Sequence, residues 1–244
     1  MKKVVAIIPA RYASSRFPGK LIKKLSGEPV IKHVYENIKK TGLFSEIIIA
    51  TDDKRIAEVA DKFGGKCVMT SAHHKSGTDR VAEVAEKTDA DIILNVQGDE
   101  PFITGKPLEK LISEFDDPQV EIASLMHKIT EENEIKNSNN VKLVVDKNSD
   151  ALYFSRSMIP FNRDNKKEVT YLKHTGVYAY RKETLLRLVK LPVSDLEDTE
   201  KLEQLRFLEN GFKIRMVLTE YSGIGIDTPE DLEKAEITAR SLNA

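Results

Sequence analysis

The chain has 244 residues, 40% hydrophobic and 32% charged, with 38 basic side chains against 39 acidic ones and a formal net charge of −1. That length and apolar content suit one large α/β domain or two small ones with a full core, and the balance of charge gives no general pull toward nucleic acid or an anionic membrane. The single cysteine, Cys67, excludes an intrachain disulfide framework and fits a reducing cytoplasm.

The N-terminal run MKKVVAII is too short for a signal segment and is cut by Pro9 and Arg11, and no stretch approaches a membrane span. Val4–Ala10 reads as a buried first strand. The loop that follows, ending at Lys20, carries Arg11, Arg16 and Lys20 at spacings of four or five residues. Small residues between them (Ala10, Ala13, Ser14, Ser15, Gly19) let backbone N–H groups approach an anion, and Pro18-Gly19 marks a turn. Strand, cationic small-residue loop, then helix is a phosphate-holding arrangement in α/β proteins; the alternative is a basic surface loop. Neither GxxxxGK[ST] nor GxGxxG is present, which removes the main support for a P-loop NTPase or a Rossmann dehydrogenase.

Downstream, helices are expected at 30–40, 55–63, 78–87 and 106–115, alternating with strands at 46–51, 66–70 and 91–96. That order predicts a mostly parallel sheet covered by helices on both faces, binding its ligand beyond the carboxyl ends of the strands. From Ile122 the pattern changes to strands at 122–129, 141–145, 151–155 and 174–181. A polar, mobile loop is expected over 162–170, helices over 182–191 and 196–210, a strand over 214–218 and a last helix over 229–242. We therefore expect a single domain, 1–244, with a nucleotide-binding half at 1–121 and a smaller mixed α/β half at 122–244.

Several residues have the chemistry of a site. Asp99, in Gln97-Gly98-Asp99-Glu100-Pro101 after a buried strand, suits a Mg²⁺ ligand, since Mg²⁺ needs only one or two carboxylates beside phosphate oxygens. A turn or cap aspartate is the alternative, and the cationic loop favours the metal. Asp227 reads equally as the N-cap of the last helix or as a second carboxylate. Ser76-Gly77-Thr78-Asp79-Arg80 opens a helix, where Gly77 allows close approach to a base or ribose and Arg80 could reach a phosphate. Arg156, His174, Tyr178, Glu203 and Gln204 form a polar set that would suit a hydroxylated, carboxylated substrate, although each also has a purely structural reading. His73, His74 and Cys67 match no standard zinc spacing.

Taken in order, IPARYASSRFPGK, ATDD, SGTDR, NVQGDEP, ALYFSRSMIP, HTGVYAYR, TEKLEQLR and GIDTPEDL resemble the 3-deoxy-D-manno-octulosonate (Kdo) cytidylyltransferase family over nearly the whole chain. The resemblance implies a nucleotide-diphospho-sugar transferase fold with a smaller dimerising subdomain, and transfer of CMP from CTP to Kdo with release of pyrophosphate, in lipopolysaccharide biosynthesis. It implies that Arg11, Ser14, Arg16 and Lys20 hold the triphosphate, that Ser76, Gly77 and Arg80 hold the cytidine side, and that Ala10, Gln97 and Asp99 also border the nucleotide. Asp99 and Asp227 would bind Mg²⁺; Gln97, Arg156, His174, Tyr178, Glu203 and Gln204 would line the sugar site; Arg16, Lys20, Asp99 and Asp227 would carry catalysis. The implied partners are CTP and Kdo in a homodimer. Thr175, Asp79 and the segment SDLEDTE depart from the commoner family pattern. Some motifs look like those of relatives acting on 8-amino-3,8-dideoxy-manno-octulosonate, so that acceptor, or another acidic sugar, stays open, as does a non-catalytic CTP-binding protein.

Overall fold

A computed structural model describes residues 2–14, 16–164 and 168–242. Ser15 of the cationic loop and residues 165–167 of the expected 162–170 loop lie outside the described residues. The chain divides into two compact units, Met1–Leu108 with Gly223–Ala244, and Glu109–Ser222.

The first unit opens with β1 (Val4–Ala10), five of whose residues are fully buried. A tight hairpin follows, β2 (Lys24–Leu25) and β3 (Glu28–Pro29), turned by Ser26 and Gly27, both at positive φ. Then come α1 (Val30–Lys40), β4 (Glu46–Thr51), α2 (Lys54–Lys62), β5 (Cys67–Met69), α3 (Gly77–Glu86), β6 (Ile92–Asn95) and α4 (Gly105–Ser113). The strands pair in the order β6-β1-β4-β5, all parallel. β1, β4 and β6 are almost unbroken apolar runs, as strands buried on both faces require, while β5 lies at the sheet edge and is partly exposed. Asp53 caps α2 by accepting from the Arg55 N–H at 2.9 Å.

The second unit contains β7 (Ile122–Ile129), α5 (Glu132–Lys136), β8 (Lys142–Val145), β9 (Ala151–Ser155), β10 (Tyr171–Arg181), α6 (Lys182–Leu188), α7 (Asp195–Glu200), α8 (Glu203–Glu209) and β11 (Arg215–Leu218). Its strand order is β11-β7-β10-β8-β9, antiparallel except for β11 against β7. The helix expected over 196–210 is two helices, because Lys201 adopts a left-handed conformation at φ 52° and Leu202 turns into the core. Neither residue type signals such a break. The short α5 and the β2–β3 hairpin were not expected either, although Ser26-Gly27 is a legible turn signal.

The last helix, α9 (Pro229–Leu242), belongs with the first unit. The expected halves, 1–121 and 122–244, assigned it elsewhere. Its Ala235 and Ala239, with Ile226 before it, are buried together with Leu25 and Val30. Apolar burial of this kind, at about 25 cal/mol per Å², joins segments regardless of their distance along the chain.

Candidate functional site

The loop after β1 is held by a stack of specific contacts. Gly19 stands at φ +69°, and a Cβ there would meet the Tyr12 ring at 2.9 Å. Its N–H donates to the Tyr12 carbonyl at 2.9 Å. The Arg55 guanidinium lies over the Tyr12 ring, 3.2 Å from its centroid, and is itself gripped by Asp53 through two bonds of 2.9 and 2.6 Å. The loop is thus fastened to the start of α2, with Arg11 and Arg16 exposed and Lys20 half-buried.

A cavity of about 290 Å³ opens beside it. Ala10, Arg11, Ser14, Arg16, Lys20, Ser76, Gly77, Arg80, Gln97 and Asp99, the ten residues expected around the nucleotide, all line it, and so does Asp227. His74 and Lys75 also line it and were not expected. Their signal was only their place before the SGTDR turn. Gly98 is required by close approach: a Cβ would sit 3.2 Å from the Pro9 carbonyl oxygen.

Asp99 and Asp227 converge on one cation. The Lys20 ammonium pairs with Asp99 and donates to Asp227 at 2.8 Å, while Arg16 pairs with the other oxygen of Asp227 at 2.9 Å. Burial opposes the Lys20 charge, but the two carboxylates outweigh it and hold its pKa above the ordinary value. Burial likewise opposes the Asp227 carboxylate, and Lys20 and Arg16 overcome that and hold its pKa below the usual range. Two fixed features bring Asp227 here. The Ile226 N–H donates to the Asp99 carbonyl at 2.9 Å, and Ile226 is fully buried.

Thr228, and not Asp227, caps α9: its hydroxyl accepts from the Asp231 N–H at 3.2 Å, and the Asp231 carboxylate accepts from the Thr228 N–H at 3.0 Å. Asp227 is therefore free of the capping role that its position suggested. At α3 the cap is Ser76, whose hydroxyl accepts from the Asp79 N–H at 3.0 Å, so that side chain already has a structural partner. Arg80 is buried and held by Thr70 and, at 3.3 Å, by Asp52 of the ATDD segment.

The remaining expected residues lie in the second unit. His174 and Tyr178 project to the same side across a β-bulge, their rings 5.2 Å apart. His174 shares a 2.9 Å hydrogen bond with the Ser124 hydroxyl, and burial lowers its pKa to about 3, which keeps the ring neutral. Burial, reinforced by the Glu203 carboxylate, pushes the Tyr178 phenol well above its ordinary value. Its buried oxygen has no well-formed hydrogen bond, although Ser124 lies near enough to ease the shift. Gln204 is buried, and Glu203 pairs with Arg206 at 3.1 Å. Arg156 is committed to backbone, donating to the Glu200 and Ser138 carbonyls at 2.8 and 3.1 Å. Lys142, fully buried, donates to three carbonyls, those of Asn137, Asn140 and Arg156.

Cys67 is partly buried, and desolvation raises its thiol pKa, consistent with a packing role. No helix among the described residues is long and apolar enough to cross a membrane.

The cytidylyltransferase family profile matches residues 5–214. The chain is 50% identical to 3-deoxy-manno-octulosonate cytidylyltransferase of Flavobacterium johnsoniae, over 98% of this chain and 100% of that one. It is 49% identical to the protein of the same name from Geobacter metallireducens, over 95% and 96%. A solved structure of CMP:2-keto-3-deoxy-manno-octonic acid synthetase complexed with CTP shares 45% identity and a TM-score of 0.94, covering 98% of this chain and 99% of that one. The 4-diphosphocytidyl-2C-methyl-D-erythritol synthase of Anaerococcus prevotii, at 20% identity and a TM-score of 0.65, shares the fold.

Proposed function

The chain belongs to the 3-deoxy-manno-octulosonate cytidylyltransferase family, and from that premise we infer that it transfers CMP from CTP to the anomeric hydroxyl of 3-deoxy-D-manno-octulosonate, releasing pyrophosphate. The observation that carries this reading is the meeting of Asp99, Asp227, Arg16 and Lys20 at one wall of a cavity sized for a small ligand. In the reaction the acceptor oxygen forms a bond to the α-phosphorus of CTP and the bond from that phosphorus to the bridging oxygen of pyrophosphate breaks. Arg16 and Lys20 neutralise the negative charge that builds on the leaving group. Arg11 and Ser14 hold the outer phosphates, and Gly77 and Gln97 border the nucleoside.

The paired carboxylates are hard oxygen donors of the kind Mg²⁺ takes, and they fit it; Asp99 and Asp227 would hold the ion. When bound, Mg²⁺ would withdraw charge from the triphosphate and lower the pKa of the acceptor hydroxyl. His174, Tyr178, Glu203 and Gln204 are proposed to contact the acceptor. His174 is kept neutral there, so that it binds through hydrogen bonds and does not pair electrostatically with the acceptor carboxylate. Arg156, bonded to Glu200, is proposed to line the same acceptor site. The product would enter lipopolysaccharide synthesis in the cytoplasm. A homodimer formed through the second unit is supported by its exposed apolar side chains, Leu152, Phe161 and Val193 among them.

The test is pyrophosphate release with CTP and Mg²⁺, run in parallel with Kdo and with its 8-amino analogue. Release with Kdo is expected to exceed release with the analogue. Binding of CTP without release in either arm would instead mark a binding protein.

A further inference from the structure

Among the described residues, the cavity lining holds five side-chain cations, Arg11, Arg16, Lys20, Lys75 and Arg80, and two carboxylates, Asp99 and Asp227. These cations are not equally available to an incoming anion. Arg16 and Lys20 are closed onto the carboxylates. Arg80 is buried against Asp52 and Thr70. A paired cation must loosen its partner before it can serve a phosphate, whereas an unpaired exposed one gives up only hydration. Arg11 and Lys75 are exposed, and neither makes an ion pair among the described residues.

Lys75 also leaves a well-fixed stretch of backbone. The preceding His74 shares a 2.6 Å bond with Glu83, and the following Ser76 is locked in the capping box of α3. Glu83 is engaged elsewhere too, accepting from the Ser71 N–H at 2.9 Å and pairing with Lys87 at 3.5 Å. The segment therefore sets where the lysine stem begins, while its ammonium stays free to turn into the cavity.

We propose that Lys75 is a nucleotide-binding residue that, together with Arg11, makes the first electrostatic contact with the triphosphate. This rests on the CTP-binding reading above. The paired cluster of Arg16, Lys20, Asp99 and Asp227 then exchanges partners around an anion already captured. A charge acting in this way speeds association and loses its effect as salt rises.

The test measures CTP and cytidine binding by calorimetry, for the wild-type chain and for Lys75→Gln and Lys75→Arg, at about 50 and about 300 mM salt. Lys75→Gln is expected to weaken CTP binding about 5- to 20-fold at low salt and much less at high salt. Cytidine affinity should not change, and Lys75→Arg should restore CTP binding. Wild-type affinity for CTP in Lys75→Gln overturns the proposal. Equal weakening toward cytidine also overturns it, because the lysine would then be acting through the fold. Failure of the wild-type chain to bind CTP at all would bring down the nucleotide reading itself, a result distinct from the other two.

Discussion

Each unit gathers polar side chains, and the two clusters handle charge in opposite ways. In the first unit Lys20, Asp99, Asp227 and Arg16 are all charged, and the Asp227 side chain is 44% exposed. In the second, Ser124, His127, His174, Thr175 and Tyr178 share hydrogen bonds and ring contacts, and burial keeps the two histidines and the phenol uncharged. A charge-balanced, solvent-accessible cluster can exchange partners at modest cost, because water and an arriving ion can take over each bond. A desolvated neutral cluster cannot gain a proton without opening, since a buried charge is strongly disfavoured. The first arrangement suits binding and release of a highly charged ligand. The second holds its shape.

Breaking the first cluster should have the largest effect, on activity and not on folding. Asp99→Asn is expected to lower turnover by about two orders of magnitude or more, while circular dichroism and melting temperature stay close to wild type. Near-normal turnover would remove Asp99 from the proposed metal site. The second cluster should instead fail in acid, and the direction follows from its histidines. His127 and His174 have their pKa values lowered by burial from 6.5 to about 4 and about 3. The unfolded chain therefore takes up protons that the fold refuses. Their contribution is complete above about pH 6.5 and is lost as the pH falls toward 3. The slope is at most about 1.4 kcal/mol per pH unit for each histidine. Denaturant melts between pH 7 and 4 should show this decline, and His174→Gln should flatten it; an unchanged slope would mean the ring is not desolvated. The smallest effect is expected at the N-terminus of α9. Thr228→Ala should cost about 1 kcal/mol of stability as the cap is lost, measured by chemical denaturation, with Asp227 still in place and turnover largely kept.

Much of the first unit and part of the second were legible in the sequence. β1, α1, β4, β7, β9 and α9 begin and end where apolar runs, caps and turn residues placed them. The ten residues expected around the nucleotide all reach one cavity because they cluster at the carboxyl ends of β1, β5 and β6 and in the segments that follow them, including the first turn of α3, and these are parallel strands of one sheet. Less was legible where a residue does something unusual for its type. Lys201 breaks a helix by adopting a left-handed conformation, and Lys142 spends its ammonium on three carbonyls in the core. Arg156, at the end of an apolar strand, donates to the Glu200 and Ser138 carbonyls, partners that its local sequence does not announce. Nothing in the local pattern distinguishes those roles, because each depends on which carbonyls the fold leaves unsatisfied.

The sequence by itself determined the alternation of strands and helices, the cationic loop and the family, because periodicity, turn chemistry and ordered motifs are local properties. Only the tertiary structure decided that Asp99 and Asp227 meet. Lys20 lies 79 residues from one and 207 from the other, and no spacing rule reaches that far. The contact exists because Ile226 buries beside Leu25 and Val30 and its N–H finds the Asp99 carbonyl. Thr228 meanwhile takes over the helix cap and leaves the Asp227 carboxylate to the site. Hydrophobic burial has no memory of distance along the chain.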